Sequence, residues 1–261
     1  MTRTLFAAFL TVLVLAACGG PEAAPSPAAA EPTEVEAPAA TEPPTATEPP
    51  VPTPVPPTAT PENQIFRDDF SGSLQPGWTW ENEDPSRWSI TDDGWLQIVG
   101  GDGALLGATG TQSNLLFRDL PAGDFAITVH LIARPVADFQ QAAIYIYQDA
   151  ENYVTINHGF CSFPRCVRAG VYMDYSVGGV WGGYTQAVSG PELYLRLERL
   201  GDVLSGYSSL DGSNWQRVGR FGDYFELRRV GIGVSNVDAP PLEDADLVGQ
   251  YDYFEITRPG G

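Results

Sequence analysis

The residues best suited to chemistry lie in three neighbouring stretches. Over 143–148, 153–160 and 169–175, apolar and polar residues alternate with period two, as half-buried strands do. Alternate residues of a strand share a face. Ile144, Ile146, Val154, Ile156, Val171 and Met173 therefore form an apolar set expected to point inward. Tyr145, Tyr147, Thr155, Asn157, Tyr172 and Asp174 point the other way. Aromatic faces suit the C–H face of a pyranose, and amide and carboxylate groups reach its hydroxyls. Tyr145, Tyr147, Asn157, Tyr172 and Asp174 are thus expected to bind a neutral polysaccharide or oligosaccharide. Trp181, in the glycine-rich stretch 176–184, is expected to stack from a mobile rim.

Catalytic patterns are weaker. Glycoside hydrolysis needs two carboxylates about 5–10 Å apart. On one strand that means i and i+2 or i+4. No Glu-x-Asp-x-x-Glu occurs. Glu81, Glu83 and Asp84 lie in a turn, and Glu243, Asp244 and Asp246 in a Pro-flanked loop. Both groups read as solvated acids or cation ligands. His130 and His158 lie in alternating stretches and read as surface or satisfied histidines rather than bases. Gly100-Gly101-Asp102-Gly103 lacks the Gly-x-Gly-x-x-Gly register and reads as a turn. No catalytic residue is assigned. A glycosidase or lyase with carboxylates from separate strands is the alternative, and a partner-binding envelope module the third reading. Asp68, Asp69 and Asp252 are candidate ligands for a structural calcium ion, or turn acids. No other cofactor is expected.

Charge narrows the partners. The chain has 33 acidic residues against 14 basic ones, for a net of −19. This balance excludes non-specific nucleic-acid binding and docking on anionic lipid by charge. Of 23 prolines, 14 lie between Pro21 and Pro61. Residues 19–63 hold seven Glu, no basic residue and almost only Pro, Ala, Thr, Glu and Ser otherwise. Such a segment cannot bury enough apolar surface to offset its ordering entropy, and it reads as a disordered tether. Residues 64–261 keep a net charge of −13.

Residues 1–18 read as a secretory signal: Arg3, a short apolar run, then Leu15-Ala16-Ala17-Cys18. That tetrapeptide resembles the lipobox of bacterial lipoproteins. The resemblance implies a lipid on Cys18 and a chain anchored at the extracellular face of the cell membrane. With Cys18 so used, Cys161 and Cys166 remain, an even pair expected to form a disulfide.

Residues 64–258 are expected to form one all-β domain, with 259–261 as a tail. Turn residues break the chain about every ten positions, into about twelve to fourteen short strands. Asp211-Gly212 between alternating runs marks a tight hairpin. Trp78, Trp80, Trp88 and Trp95 flank turns and are expected to plug the edges.

Several motifs occur in a recognisable order. Arg67-Asp68-Asp69-Phe70-Ser71-Gly72 precedes Pro76-Gly77-Trp78-Thr79-Trp80, and Arg87-Trp88-Ser89-Ile90 precedes Asp93-Gly94-Trp95-Leu96. The chain closes on Val230-Gly231-Ile232-Gly233-Val234 and Tyr251-Asp252-Tyr253-Phe254-Glu255-Ile256. This order resembles the C-terminal module of family-43 β-xylosidases and related domains of unknown function. The resemblance implies a two-sheet concanavalin A-like jelly-roll β-sandwich with carbohydrate at its concave face.

Overall fold

The computed structural model describes residues 62–101, 112–222, 225–236 and 246–259. Cys18, the signal segment, nearly all of the tether, Glu243 and Asp244 lie outside them. Fifteen strands and no helix occur among the described residues. In chain order they are β1 Gln64–Asp68, β2 Thr79–Glu81, β3 Trp88–Ile90, β4 Leu96–Val99 and β5 Leu115–Asp119. There follow β6 Phe125–Ala133, β7 Gln140–Asp149, β8 Asn152–Cys161, β9 Arg168–Val177 and β10 Val180–Ala187. The last five are β11 Glu192–Leu200, β12 Val203–Ser209, β13 Gln216–Gly222, β14 Arg229–Asn236 and β15 Val248–Thr257. The count exceeds the expected twelve to fourteen. Strands as short as β2 and β3 leave too few residues for alternation to register.

The strands form two antiparallel sheets. The first runs β13-β12-β11-β6-β15-β4-β3, with β1 also on β15. The second runs β10-β9-β8-β7-β14-β5-β2. Alternation sends every second residue into the space between them. Ile144, Ile146, Val154, Ile156, Val171 and Met173 all face that core from the second sheet and are fully buried. Phe125, Ile127, Val129 and Leu131 meet them from β6, and Leu193, Leu195 and Leu197 from β11. Trp78, Trp80 and Trp88 pack partly buried against the core edge. Trp95 instead lies near His130, with ring centroids 5.2 Å apart.

Local turns follow from local chemistry. Asp68 orders the turn after β1, accepting from the Phe70 and Gln75 amides at 2.9 and 2.8 Å and from the Trp78 indole at 2.8 Å. Asp211 does the same at the β12–β13 hairpin, accepting from the Ser213 and Asn214 amides at 2.9 and 2.7 Å. The stretch expected as a mobile rim is a tight hairpin between β9 and β10. Gly178 and Gly179 take consecutive positive φ values of 53° and 77°, which a side chain would oppose.

Tyr251 carries a polar contact across the core. Tyr251, fully buried on β15, donates its hydroxyl to Gly233 O at 2.9 Å and accepts from the Ala143 amide at 3.0 Å. The phenol of one sheet thus bonds the backbone of two strands of the other. Tyr251→Phe leaves those buried groups without it and should destabilise the domain by about 1–3 kcal/mol in a denaturant titration.

Candidate functional site

Outward parity places the candidate tyrosines on one sheet face, but it does not leave them equally open. Tyr145 and Tyr147 cluster with Leu115, Phe117, Ala143 and Tyr153. Tyr145 is 0% exposed, and its hydroxyl lies 3.1 Å from the Gln112 side-chain amide. Burial raises its pKa well above the ordinary phenol value. The Tyr147 ring stacks on Phe117 at 5.2 Å, and the Arg229 guanidinium covers both rings at 5.0 and 4.5 Å. Glu81 holds that guanidinium at 2.8 Å. Neither phenol therefore offers the free ring face expected of it. Neighbouring outward side chains, and Gln112 before β5, have closed over this half.

The other half stays open. Asn157, Tyr172, Asp174 and Trp181 line a single pocket of about 280 Å³. The Asn157 amide donates to Asp174 at 3.0 Å and to the Thr155 hydroxyl at 3.3 Å. Two glycines, Gly159 and Gly183, clear the space above this floor. A Cβ on Gly159 would sit 2.6 Å from the Asn157 oxygen, and one on Gly183 2.6 Å from an Asp174 oxygen. Burial raises the Asp174 carboxyl to about 6, while the Asn157 hydrogen bond opposes that rise. Tyr172 donates its hydroxyl to Arg168 O, which fixes its ring as part of the lining. Trp181, 61% exposed, stands on the edge strand β10 and lines the pocket.

The Cys161–Cys166 disulfide forms, with Cα atoms 5.5 Å apart. Both cysteines and Arg165 line the same pocket, together with Phe139 and Phe160. Sequence reasoning missed Phe139, Arg165, Gly159 and Gly183. The signal for the glycines was available, because an interior strand glycine marks a close approach or an opening.

The candidate calcium ligands do not converge. Asp68 points inward and spends both carboxylate oxygens on the turn after β1. Asp69 pairs with Arg67 at 2.6 Å. Asp252 points outward and holds His130 Nδ1 at 2.9 Å. A bulge between Tyr251 and Tyr253 sets this parity. Among the described residues no group of three His, Cys, Asp or Glu side chains is placed to hold a metal.

The histidines lie on different sheets. His130 sits on the outer face of the first sheet, stacked on Tyr194 at 4.2 Å and bonded through Nε2 to Glu192 at 3.0 Å. His158 faces the core, where burial lowers its pKa to about 4 and leaves Nδ1 without a hydrogen-bond partner.

The sequence matches the β-xylosidase C-terminal concanavalin A-like domain over residues 67–232. The chain belongs to that family. Solved structures share its fold at identities that speak for the fold alone. The GH43 protein BlXynB of Bacillus licheniformis superposes with a TM-score of 0.64 at 18% identity, covering 77% of this chain and 41% of that one. A xylan β-1,4-xylosidase of Bacillus halodurans gives 0.60 at 19% identity, covering 78% and 41%. A functionally unknown protein of Saccharomyces cerevisiae gives 0.52 at 17% identity, covering 71% and 98%. This chain therefore spans about two fifths of the length of the two bacterial proteins. No curated protein matches it.

The family domain carries two opposed titrations. Asp174, raised to about 6, stabilises the fold fully below its ordinary 3.8, and that contribution is lost as pH rises through 6. His158, lowered to about 4, favours the fold above its ordinary 6.5, and that contribution is lost as pH falls toward 4. Between pH 4 and 6.5 the two offset each other. The Tm of Asp174→Asn relative to wild type should rise across this window by a few degrees. The Tm of His158→Phe relative to wild type should fall. Parallel Tm curves for wild type and Asp174→Asn would overturn this assignment.

Proposed function

We propose that the folded domain is a non-catalytic module that binds neutral extracellular glycan. The single observation that carries this reading is the pocket on the second sheet. It combines an exposed indole, a buried phenol ring and an amide–carboxylate floor, the groups a pyranose requires. Among the described residues its lining holds one carboxylate, Asp174, where hydrolysis needs a pair. The family name and the bacterial relatives make xylan the first ligand to try. The net charge of −13 over residues 64–261 disfavours polyanionic glycans.

Affinity gels containing xylan, arabinan or β-glucan provide the test. The domain should be retarded on at least one. Trp181→Ala should weaken binding about tenfold or more, roughly 1.4 kcal/mol. Tyr145→Phe, altered outside the pocket, should leave binding nearly unchanged. No retardation on any gel would sink the reading, and release of reducing sugar would favour a hydrolase or lyase instead.

The same proposal places the module outside the cell, with a lipid on Cys18 and residues 19–63 as its tether. A single acyl chain gives marginal membrane binding, whereas several give stable anchoring. The full chain expressed in a bacterium should incorporate labelled palmitate and partition with membranes. Cys18→Ser should abolish both, and an unlabelled wild-type chain in the soluble fraction would refute the anchor.

A further inference from the structure

The pocket is walled on several sides, and the walls bear on which part of a sugar chain it accepts. At the β8–β9 end stands the loop closed by Cys161 and Cys166. The β6–β7 connection braces that loop. Ser162 donates its hydroxyl to Asp138 at 2.7 Å, the Phe139 amide donates to Phe160 O at 2.9 Å, and the Phe139 and Phe163 rings pack at 5.8 Å. In the opposite direction along β7 and β8 the floor runs into the packed cluster of Tyr145, Tyr147 and Tyr153. Phe139 and Gln141 close the β7 side. The β10 edge remains, where Trp181 stands.

A polysaccharide threaded along the strands would meet the braced loop at one end and the tyrosine cluster at the other. The volume of about 280 Å³ also limits the occupant. Pockets that enclose a drug-sized ligand run from roughly 300 to 1,000 Å³. This one suits about one or two sugar rings.

We infer that the pocket binds the end of a neutral glycan chain, its terminal one or two sugar residues, and not a stretch of chain interior. This rests on the glycan-binding reading and adds which part of the ligand is recognised. The terminal ring lies against Trp181 and Tyr172 with its hydroxyls on Asn157 and Asp174. The remainder of the chain leaves over the β10 edge. The braced loop is the wall that stops the chain from passing through.

Isothermal titration with xylo-, arabino- and gluco-oligosaccharides from disaccharide to hexasaccharide tests this. The preferred series should bind with affinities within about threefold of one another, one protein to each hexasaccharide. Asp138→Ala and Phe163→Ala, which loosen the wall without touching the floor, should each weaken disaccharide binding by about tenfold. Affinity that climbs about tenfold or more from disaccharide to hexasaccharide would overturn the inference, as would two proteins on one hexasaccharide. Full disaccharide affinity in both folded wall variants would also overturn it. Retention on a polysaccharide gel with no oligosaccharide binding would overturn end recognition and leave glycan binding standing. No binding to polymer or oligomer would overturn both.

Discussion

The contact on which the sandwich geometry turns is the phenol of Tyr251. Two apolar sheets attract each other without direction, so area alone does not fix how one lies over the other. A hydroxyl seated on Gly233 O and the Ala143 amide does. It is directional, fully buried and costly to leave unmade. Ala143 is also the register partner of Asn157, whose amide holds Asp174 on the next strand but one from β7. A single ring from the first sheet thus ties the joint between the sheets to the floor of the pocket on the far side of the second.

The two outer faces handle polar groups differently. On the first sheet they are largely satisfied among themselves. His130 bridges Asp252 and Glu192, Arg67 pairs with Asp69 and lies over Tyr253 at 4.0 Å, and Arg196 lies over Trp215 at 4.0 Å. The exposed Arg67–Asp69 pair contributes little to stability, but together these contacts occupy the polar groups they join. On the second sheet the Asn157–Asp174 pair keeps capacity to spare. A carboxylate oxygen there faces the gap that Gly183 leaves open.

Much of this was readable from alternation, because parity is a local property of a strand. It separated Ile144, Ile156 and Met173 from Asn157, Tyr172 and Asp174 correctly, and the cysteine count paired Cys161 with Cys166. Parity says which way a side chain points, not what closes over it. The burial of Tyr145 depends on Gln112 and Phe117, more than twenty residues earlier in the chain. The bulge at Tyr251 and Tyr253 shifts parity within β15, and so sends Asp252 away from Asp68. A shift of that kind leaves no mark in composition or spacing. The family match extends the sequence evidence to the fold, while the pocket follows from particular side chains.

The disulfide loop has one more implication. The sheet floor is held by backbone ladders that form in any aqueous compartment, but the wall carrying Arg165 depends on a covalent step that needs an oxidant. Floor and wall are therefore completed under different conditions. Without that bond the loop has only its contacts with the β6–β7 connection to hold it, the Ser162–Asp138 and Phe139–Phe160 hydrogen bonds and the Phe139–Phe163 ring contact. An oxidising compartment completes that wall, so the redox state around the chain takes part in shaping the pocket.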